Sequence, residues 1–346
     1  MTIPTTMKAL LLKHDGYSAE PSDASLADMG SYVELSEIGV PEPGPSQVLV
    51  KVRTAAINPS DVMFVKGLYG QPRHKGQPAG FEGVGEVVAA GSDAVAQKLV
   101  GARVAFPTGL SNWGSWAEYA VAEAAACIPL IDGVNDIDGA AMIVNPLTAL
   151  AMFGIVKEEG EKAFVLTAAA SQLCKLIMGV AADEGYRPIA IVRRDDQIAL
   201  LEKAGAAHVL NASAPDFDAA LKAVMKKEQP RIFLDAVTGS LAGRIFNAMP
   251  KRGRWIVYGR LDTETTPIPE PGQLIFMHKR IEGFWLTNWL RAAAPERRVA
   301  VVMEAQKRFA DGRWSTDVTA IVPLDEAIAR VPGELAKPNG KVFIAP

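Results

Sequence analysis

Between residues 163 and 257 the sequence alternates short apolar runs with amphipathic segments, and this alternation constrains the fold more than any other feature. The runs are continuously apolar, as in "FVL" (164–166) and "IAIV" (189–192), which is typical of strands buried on both faces. The segments between them repeat apolar residues with a helical period. Strands that alternate with helices form a parallel sheet covered on both faces. The sequence therefore predicts a doubly wound α/β domain.

The residues before about 140 have a different texture and are rich in strand patterns. "QVLVKVRTAAI" (47–57) alternates apolar and polar residues, as a half-buried strand does, and "GARVAFP" (101–107) indicates a further short strand. The tail from residue 316 returns to strand, helix and strand, and can complete this first domain. The polar stretch 14–32, with Gly, Pro and Ser, predicts a surface loop or insertion. A chain of 346 residues fits two domains.

Charge and composition limit the partners that this chain can have. The formal net charge is −3 and there is no long basic block, so no nucleic-acid partner is expected. No uninterrupted apolar stretch is long enough to span a bilayer, and the N-terminal "MTIPTTMKALLLK" predicts a first strand rather than a signal peptide. The two cysteines, Cys127 and Cys174, do not form a disulfide framework, so a reducing, cytoplasmic location is expected.

The turn after the strand "FVL" is a candidate phosphate site. Small residues, Ala168-Ala169-Ala170, lead into a helix, and the start of a helix presents free N–H groups and a positive dipole end. Such a turn in a dinucleotide fold normally uses glycine, and alanine is expected to lose the positive φ that glycine allows. Ser171 and Gln172 could bind phosphate oxygens. Alternatively, Ser171 only caps the helix and Cys174 packs against the sheet.

The end of the next strand favours a phosphorylated nucleotide. In a dinucleotide fold an acidic residue at this point holds the ribose hydroxyls, whereas an arginine accommodates a 2′-phosphate. Here the strand "IAIV" ends in Arg193-Arg194, and the guanidinium group matches phosphate geometry. An ordinary pair of solvated arginines is the alternative, and Asp195-Asp196 follow at once. NADPH is therefore the favoured cofactor, with NADH possible.

Five stretches together resemble the zinc-free branch of the medium-chain dehydrogenase/reductase superfamily, in particular 2-enoyl thioester reductases and quinone oxidoreductases. The resemblance covers nearly the whole chain and implies a Rossmann-type doubly wound parallel sheet plus a β-rich GroES-like domain. The implied division is a GroES-like catalytic domain at 1–140, a dinucleotide-binding domain at 141–285 and a return to the catalytic domain at 286–346. The stretches are "NPSDVMFVKGLY" (58–69), "GFEGVGEVVAAG" (80–91), "NPLTA" (145–149), "FWLTNW" (284–289) and "GKVF" (340–343).

The resemblance also implies roles for individual residues. Tyr69 matches the tyrosine proposed to assist proton delivery in enoyl thioester reductases, and is the implied catalytic residue; its alternative role is packing. The implied cofactor-binding residues are Asn58, Asn145, Thr148, Ala170, Ser171, Gln172, Leu173, Arg193, Arg194, Tyr258, Gly259, Phe284, Trp285, Leu286 and Lys341. The loop "TAAASQLC" departs from the glycine-containing loop common in these enzymes. Relatives are often dimers that join their nucleotide domains, so a homodimer is expected.

No metal site is expected. Zinc members of the superfamily carry a histidine before a glutamate where this chain has Phe81-Glu82, and a cysteine in the region of Asn58-Pro59. Zinc requires thiolate or imidazole ligands in a tetrahedral array, and two distant cysteines with four scattered histidines do not provide that spacing.

Without zinc to polarise a carbonyl, hydride transfer to an activated C=C bond or to a quinone is the expected reaction. The acceptor is expected to be a small molecule: an enoyl thioester, an enone or a quinone. A tyrosine hydroxyl can stabilise the resulting enolate or deliver a proton. The alternative is a non-enzymatic nucleotide-binding relative, redox-responsive or structural, which the altered phosphate loop favours.

Overall fold

The computed structural model describes residues 2–20, 22–108, 113–267, 270–337 and 340–346. The chain forms two compact units. The first comprises Met1–Pro146 together with Val302–Pro346, and the second comprises Leu147–Val301.

The strands are β1 Thr6–Leu12, β2 Val33–Gly39, β3 Gln47–Ala56, β4 Glu82–Ala90, β5 Arg103–Pro107, β6 Tyr119–Glu123, β7 Ile128–Pro129, β8 Ala163–Leu166, β9 Arg187–Val192, β10 His208–Asn211, β11 Ile232–Asp235, β12 Arg254–Val257, β13 Arg280–Gly283, β14 Val318–Pro323 and β15 Lys341–Ala345. The α-helices are α1 Pro59–Val65, α2 Ala94–Gln97, α3 Asp136–Ala140, α4 Val144–Glu159, α5 Gln172–Asp183, α6 Ile198–Lys203, α7 Phe217–Glu228, α8 Gly239–Ala248, α9 Pro271–Ile275, α10 Leu286–Ala292, α11 Pro295–Ala310 and α12 Ala327–Leu335.

The second unit is built on a parallel sheet with the strand order β10-β9-β8-β11-β12-β13. This is the strand order of a dinucleotide-binding Rossmann sheet. Strands β9 and β10 are added on one side of β8, and β11, β12 and β13 on its other side. All residues of β8 and β11 are buried, which explains their continuously apolar sequences. Phe233, Phe246 and Trp255 pack together in its core. The predicted doubly wound α/β fold is confirmed.

The first unit is rich in β-strands, as the sequence predicts. Its larger sheet has the order β14-β15-β3-β4-β5-β7, with β6 also paired to β3, and β1 and β2 form a separate antiparallel pair. The C-terminal strand β15 pairs antiparallel with β3, placing Phe343 opposite Ala56. Residues from the C-terminal segment therefore share the core of the N-terminal sheet.

The segment 14–32 is packed more tightly than its polar composition predicts. Leu26 and Met29 are 5% and 0% exposed and belong to the first unit's core. The Lys66 ammonium donates hydrogen bonds to the carbonyl oxygens of Asp23 and Ser25, at 2.9 and 2.7 Å. The prediction of a surface loop is thus wrong for these anchoring residues, because two apolar side chains are sufficient to dock an otherwise polar segment.

In the described part of the chain, no helix is both long and apolar enough to cross a membrane.

Candidate functional site

In the second unit, four predicted cofactor-binding stretches lie at one edge of the sheet. Each lies in the segment after the carboxyl end of a strand, and parallel strands place those ends at the same edge. Doubly wound sheets bind ligands at this edge, where the strand order reverses; here the reversal lies between β8 and β11. The four stretches are 170–173 after β8, 193–194 after β9, 258–259 after β12 and 284–286 after β13.

The loop after β8 keeps a backbone geometry that was expected to require glycine. Ala168 has a φ of +47°, so the expectation that alanine loses the positive φ is wrong. A left-handed conformation costs a non-glycine residue about 1–2 kcal/mol, and surrounding contacts hold it: the Ser171 N–H donates to the Ala168 oxygen at 2.9 Å, and the Ala169 N–H donates to Ile191 at 3.3 Å. The loop therefore has a backbone conformation that allows a phosphate to approach the start of α5 closely.

Ser171 is the N-cap of α5. Its hydroxyl oxygen accepts a hydrogen bond from the Cys174 N–H at 3.3 Å, which satisfies one of the free donors at the helix start. Cys174 is fully buried, and its thiol lies 3.5 Å from the Thr167 oxygen and 3.4 Å from the Tyr258 hydroxyl. Burial raises the pKa of both the Cys174 thiol and the Tyr258 phenol. Both groups stay neutral and pack α5 against the end of β12.

The two arginines after β9 differ in their surroundings. Both are exposed. The Arg194 guanidinium is held by Asp196, with Nε 3.1 Å from the carboxylate. Among the described residues, Arg193 has no acidic partner, and its carbonyl oxygen accepts a hydrogen bond from the Ser213 hydroxyl at 3.2 Å. Arg193 thus directly follows β9, the neighbour of β8 in the sheet, and its guanidinium is not paired with a described acidic residue.

Sequence reasoning missed Asp235, which organises the same edge. Its buried carboxylate accepts hydrogen bonds from the Thr167 hydroxyl at 2.5 Å, the Trp255 indole at 2.9 Å and the Val237 N–H at 2.9 Å. Burial raises the pKa of Asp235, and these hydrogen bonds oppose that shift. The carboxylate ties the loops after β8 and β11 together. The sequence signal for this residue was a single acidic side chain at the end of the apolar run "RIFLD".

Gly259 and Phe284 are placed by the neighbouring strands. A side chain on Gly259 would meet the backbone and side chain of Ala236 at 3.2 Å, so the loops after β11 and β12 touch through this glycine. The Phe284 N–H donates to the Val257 oxygen at 2.8 Å. Trp285 and Leu286 are half-buried where α10 begins.

In the first unit, Asn58 and Lys341 belong to a buried polar network. Lys341 is 6% exposed, and its ammonium donates to the Asn58 side-chain oxygen and, at 3.3 Å, to the Ile57 carbonyl. The Asn58 amide donates to Glu82 at 2.9 Å. The other oxygen of Glu82 accepts the N–H groups of Ile143 and Val144, each at 2.9 Å. The network therefore joins β15, the start of α1 and the start of α4.

Asp61 completes this network and was not singled out from the sequence. It is 0% exposed; one of its oxygens accepts the Asn58 N–H at 2.8 Å, and the other has no partner among the described residues. Burial raises the pKa of Asp61 to about 7, helped by the nearby Glu82 carboxylate and opposed by the Asn58 hydrogen bond and by Lys341. Burial also lowers the pKa of Lys341, against the attraction of Glu82 and Asp61.

We expect the wild type to lose stability as the pH rises and Asp61 ionises, and we expect Asp61→Asn to lack this loss. The Asp61 pKa is about 7 in the folded protein against 3.8 for an ordinary aspartate, so the folded state holds a proton that the unfolded chain releases. The stabilisation from this proton on Asp61 is complete below pH 3.8 and is lost as the pH rises through 7. The free energy of unfolding falls by up to about 1.4 kcal/mol per pH unit in this range. Asparagine cannot ionise.

Denaturant unfolding at pH 5 and pH 8 measures this effect. The free energy of unfolding of Asp61→Asn relative to wild type should increase by roughly 2 kcal/mol between the two pH values. Asp28→Asn is the control, because the hydrogen bond from Ser31 lowers the pKa of Asp28 and its titration lies below this window. A difference that does not change with pH would show that Asp61 stays ionised throughout.

Tyr69 follows α1 and is half-buried in the first unit. Its ring packs against Phe81 with centroids 5.1 Å apart, and Phe81 packs against Phe64 at 5.0 Å. Gly67 has a φ of +78°, and a side chain there would collide with Arg73 at 2.5 Å, so the turn before Tyr69 depends on glycine. Packing among the three rings fixes the position of the Tyr69 ring. This position is compatible with either a chemical or a packing role for Tyr69.

Asn145 and Thr148 lie one turn apart on α4. Asn145 is half-buried in the first turn of the helix, and Thr148 is 8% exposed. Glu82 binds the N–H groups at the start of this helix, so the first-unit network also positions Asn145.

The described residues contain no cluster of three or more His, Cys, Asp or Glu side chains that could hold a metal ion. At the two positions where the resemblance places zinc ligands, the Phe81 ring packs between Phe64 and Tyr69, and the Asn58 side chain is hydrogen-bonded to Glu82 and Lys341.

Comparisons with known proteins agree with this architecture. The model of the alcohol dehydrogenase GroES-like domain matches residues 44–132, and that of the zinc-binding dehydrogenase domain matches residues 169–302. The chain is 27% identical to bovine mitochondrial enoyl-acyl-carrier-protein reductase over 334 residues, covering 93% of this chain and 84% of that protein. It is 31% identical to bovine prostaglandin reductase-3 over 268 residues, covering 72% and 67%.

A solved structure is more similar still. A Mesorhizobium loti protein provisionally described as an NADPH:quinone reductase is 71% identical, covers 100% of both chains and superposes with a TM-score of 0.97. Two observations assign the chain to a family: the GroES-like unit occurs together with a Rossmann unit, and the identity extends over the full length. The chain belongs to the medium-chain dehydrogenase/reductase superfamily of NAD(P)H-dependent oxidoreductases, and it resembles the enoyl reductases and quinone reductases among them.

Proposed function

We propose that this protein is an NADPH-dependent reductase that transfers a hydride, without a metal, to an activated C=C bond or to a quinone. The observation that carries the proposal is the carboxyl edge of the second unit, where the loop with the positive φ at Ala168 and the residue Arg193 follow the adjacent parallel strands β8 and β9. A helix start with an adjacent guanidinium matches a pyrophosphate and a 2′-phosphate. The relatives named above are reductases, which supports the same reaction class.

The proposed chemistry assigns Tyr69 to the acceptor. NADPH held by the loop after β8 and by Arg193 would supply the hydride and would leave as NADP⁺. With an enoyl or enone acceptor, a new C–H bond forms at the β-carbon, and the π electrons move to the carbonyl oxygen. The Tyr69 hydroxyl donates a hydrogen bond to that developing charge, or delivers the proton that completes the α-carbon. Phe81 holds the ring in position for either step.

The proposal includes the absence of a metal, and elemental analysis tests it. We expect less than stoichiometric zinc per chain after purification, and unchanged NADPH oxidation after treatment with a chelator. The reason is chemical: thiolate and imidazole ligands suit zinc, whereas Phe81 and Asn58 provide neither. One zinc per chain, with activity lost on chelation, would contradict this part of the proposal.

A non-enzymatic nucleotide-binding role is the second candidate. The glycine-free phosphate loop favoured it, but the φ of +47° at Ala168 supports a loop that still accepts a phosphate. NADPH oxidation should be measured with a short enoyl thioester, an enone and a quinone, with Arg193→Ala as a cofactor-site control. Turnover that depends on NADPH and falls in the variant supports the reductase. NADPH binding without turnover of any acceptor would support the non-enzymatic role.

We also propose that the protein is a cytoplasmic homodimer. In the second unit, β13 pairs only with β12 among the described strands. Phe276 is 72% and Ile281, within β13, 45% exposed, and exposed large apolar side chains are one mark of a protein–protein interface. Sedimentation of the purified protein should give twice the chain mass of 36.9 kDa.

A further inference from the structure

A pocket lies at the edge of the second unit's sheet opposite the proposed cofactor edge. Its volume is about 500 Å³, within the range of small-molecule sites, and it is open to solvent. Its lining residues lie in the segments before β12 and β13 or at the start of β13, and parallel strands place their amino ends at one edge. They are Arg252, Leu274, His278, Lys279 and Arg280.

Four of the five lining residues are basic, and no lining residue is acidic. Arg252, His278 and Arg280 are exposed, and none of the three forms an ion pair with another described residue. Arg280 acts at longer range on Glu282, but the two Glu282 oxygens are bound by Arg254, at 2.9 and 3.0 Å. The three exposed side chains therefore keep N–H donors that an anion from solution can use.

The fourth basic residue, Lys279, adds a buried positive charge. It is 3% exposed, and its ammonium donates to the carbonyl oxygens of Phe246 and Asn247 at 2.8 and 3.1 Å. Burial lowers the pKa of Lys279 to about 8, and no acidic side chain among the described residues opposes this shift. These hydrogen bonds commit the ammonium to the end of α8, so it does not contact a ligand, but its charge adds to the positive potential of the pocket.

Backbone hydrogen bonds hold the three exposed residues in place. The Arg252 N–H donates to the Met277 oxygen at 2.8 Å, and the Arg280 N–H donates to the Gly253 oxygen at 2.9 Å. Arg252 and His278 have φ values of +67° and +50°, a region that residues other than glycine rarely adopt. The loops before β12 and β13 are thus tied together, and the three basic residues start from an ordered backbone before any ligand binds.

We propose that this pocket binds the phosphate group of a phosphorylated small molecule. Two guanidinium groups and an imidazole supply the donors, and the guanidinium fork matches the geometry of phosphate oxygens. The pocket is larger than a phosphate group, and Leu274 offers an apolar contact to the rest of the molecule. The inference is independent of the proposed reductase function, because the pocket shares no residue with the proposed cofactor and acceptor sites. A ligand at this edge is therefore expected to bind together with NADPH.

Calorimetric titration with phenyl phosphate tests the site without any reaction. The titration uses low salt, a buffer without phosphate, and one equivalent of NADPH so that the cofactor site is already filled. The wild type should bind phenyl phosphate, whereas phenol, which has the same ring without the phosphate, should not bind measurably. Added NaCl should weaken the binding, because salt screens exposed charges.

Variants then locate the binding. Arg252→Gln and Arg280→Gln should each weaken phenyl phosphate binding about fivefold, the effect of an exposed charge pair, with the melting temperature and NADPH turnover unchanged. Arg291→Gln is the matched control, because Arg291 is an exposed arginine of the same unit that does not line the pocket. It should leave the binding unchanged.

Three results would overturn the proposal. The first is no binding of phenyl phosphate to the wild type. The second is equal weakening in Arg291→Gln, which would show unspecific attraction to a positive surface. The third is displacement of phenyl phosphate by NADPH together with its loss in Arg193→Ala, which would place the phosphate at the cofactor edge. Binding that depends on Arg252 and Arg280 in a protein that reduces no acceptor would contradict the proposed function and support this site.

Discussion

Tyr69→Phe should lower kcat with an enoyl or enone acceptor by about 10²–10⁴-fold, the usual contribution of a positioned proton donor. The substitution removes the hydroxyl and keeps the ring, which packs against Phe81 with centroids 5.1 Å apart. The melting temperature and the NADPH affinity should therefore stay near the wild-type values. Steady-state kinetics with saturating NADPH, together with fluorescence titration of the cofactor, measures both quantities.

Comparing the loss of kcat in Tyr69→Phe between acceptors distinguishes a chemical role of Tyr69 from a packing role. With a quinone the loss should be smaller, because a reduced quinone oxygen can take its proton from water. Tyr32→Phe is a suitable control, since Tyr32 packs against the same core and has no proposed role. An unchanged kcat for Tyr69→Phe on an efficiently reduced enone would leave Tyr69 as a packing residue.

Replacing Arg193 and Arg194 together by alanine should weaken NADPH binding much more than NADH binding. A charge-assisted hydrogen bond to a phosphate contributes on the order of 1.5–3 kcal/mol before discounting for exposure, and both arginines are exposed. We therefore expect a loss of NADPH affinity of roughly tenfold or more. Most of it should come from Arg193, because Arg194 is already held by Asp196.

The single variants make this assignment specific. Arg193→Ala should approach the effect of the double variant, and Arg194→Ala should have a smaller effect. Asp196→Ala frees the Arg194 guanidinium and should leave NADPH binding unchanged or stronger. Titration of each variant with both cofactors gives the comparison. Equal losses for NADPH and NADH would mean that neither arginine recognises the 2′-phosphate.

The secondary-structure elements and the class of each domain could be predicted from local patterns in the sequence. Continuous apolar runs such as "FVL" and "IAIV" are typical of strands buried on both faces, and their alternation with amphipathic segments predicted the parallel sheet. The places of the 170–173 loop and of Arg193 followed as well, because residues directly after parallel strands share one edge of the sheet. These inferences depend on near neighbours in sequence, where spacing is informative.

Which polar side chains contact one another could be seen only in the folded chain. Lys341 reaches Asn58 across 283 positions, and Glu82 reaches the start of α4 across 62. No local pattern encodes such contacts, because they arise when β15 joins the sheet beside β3. The positive φ of Ala168 is likewise imposed by the Ser171 and Ile191 contacts around it rather than by alanine's own preference. The raised pKa of Asp61 follows from burial that exists only once the first unit's sheet and α1 have packed together.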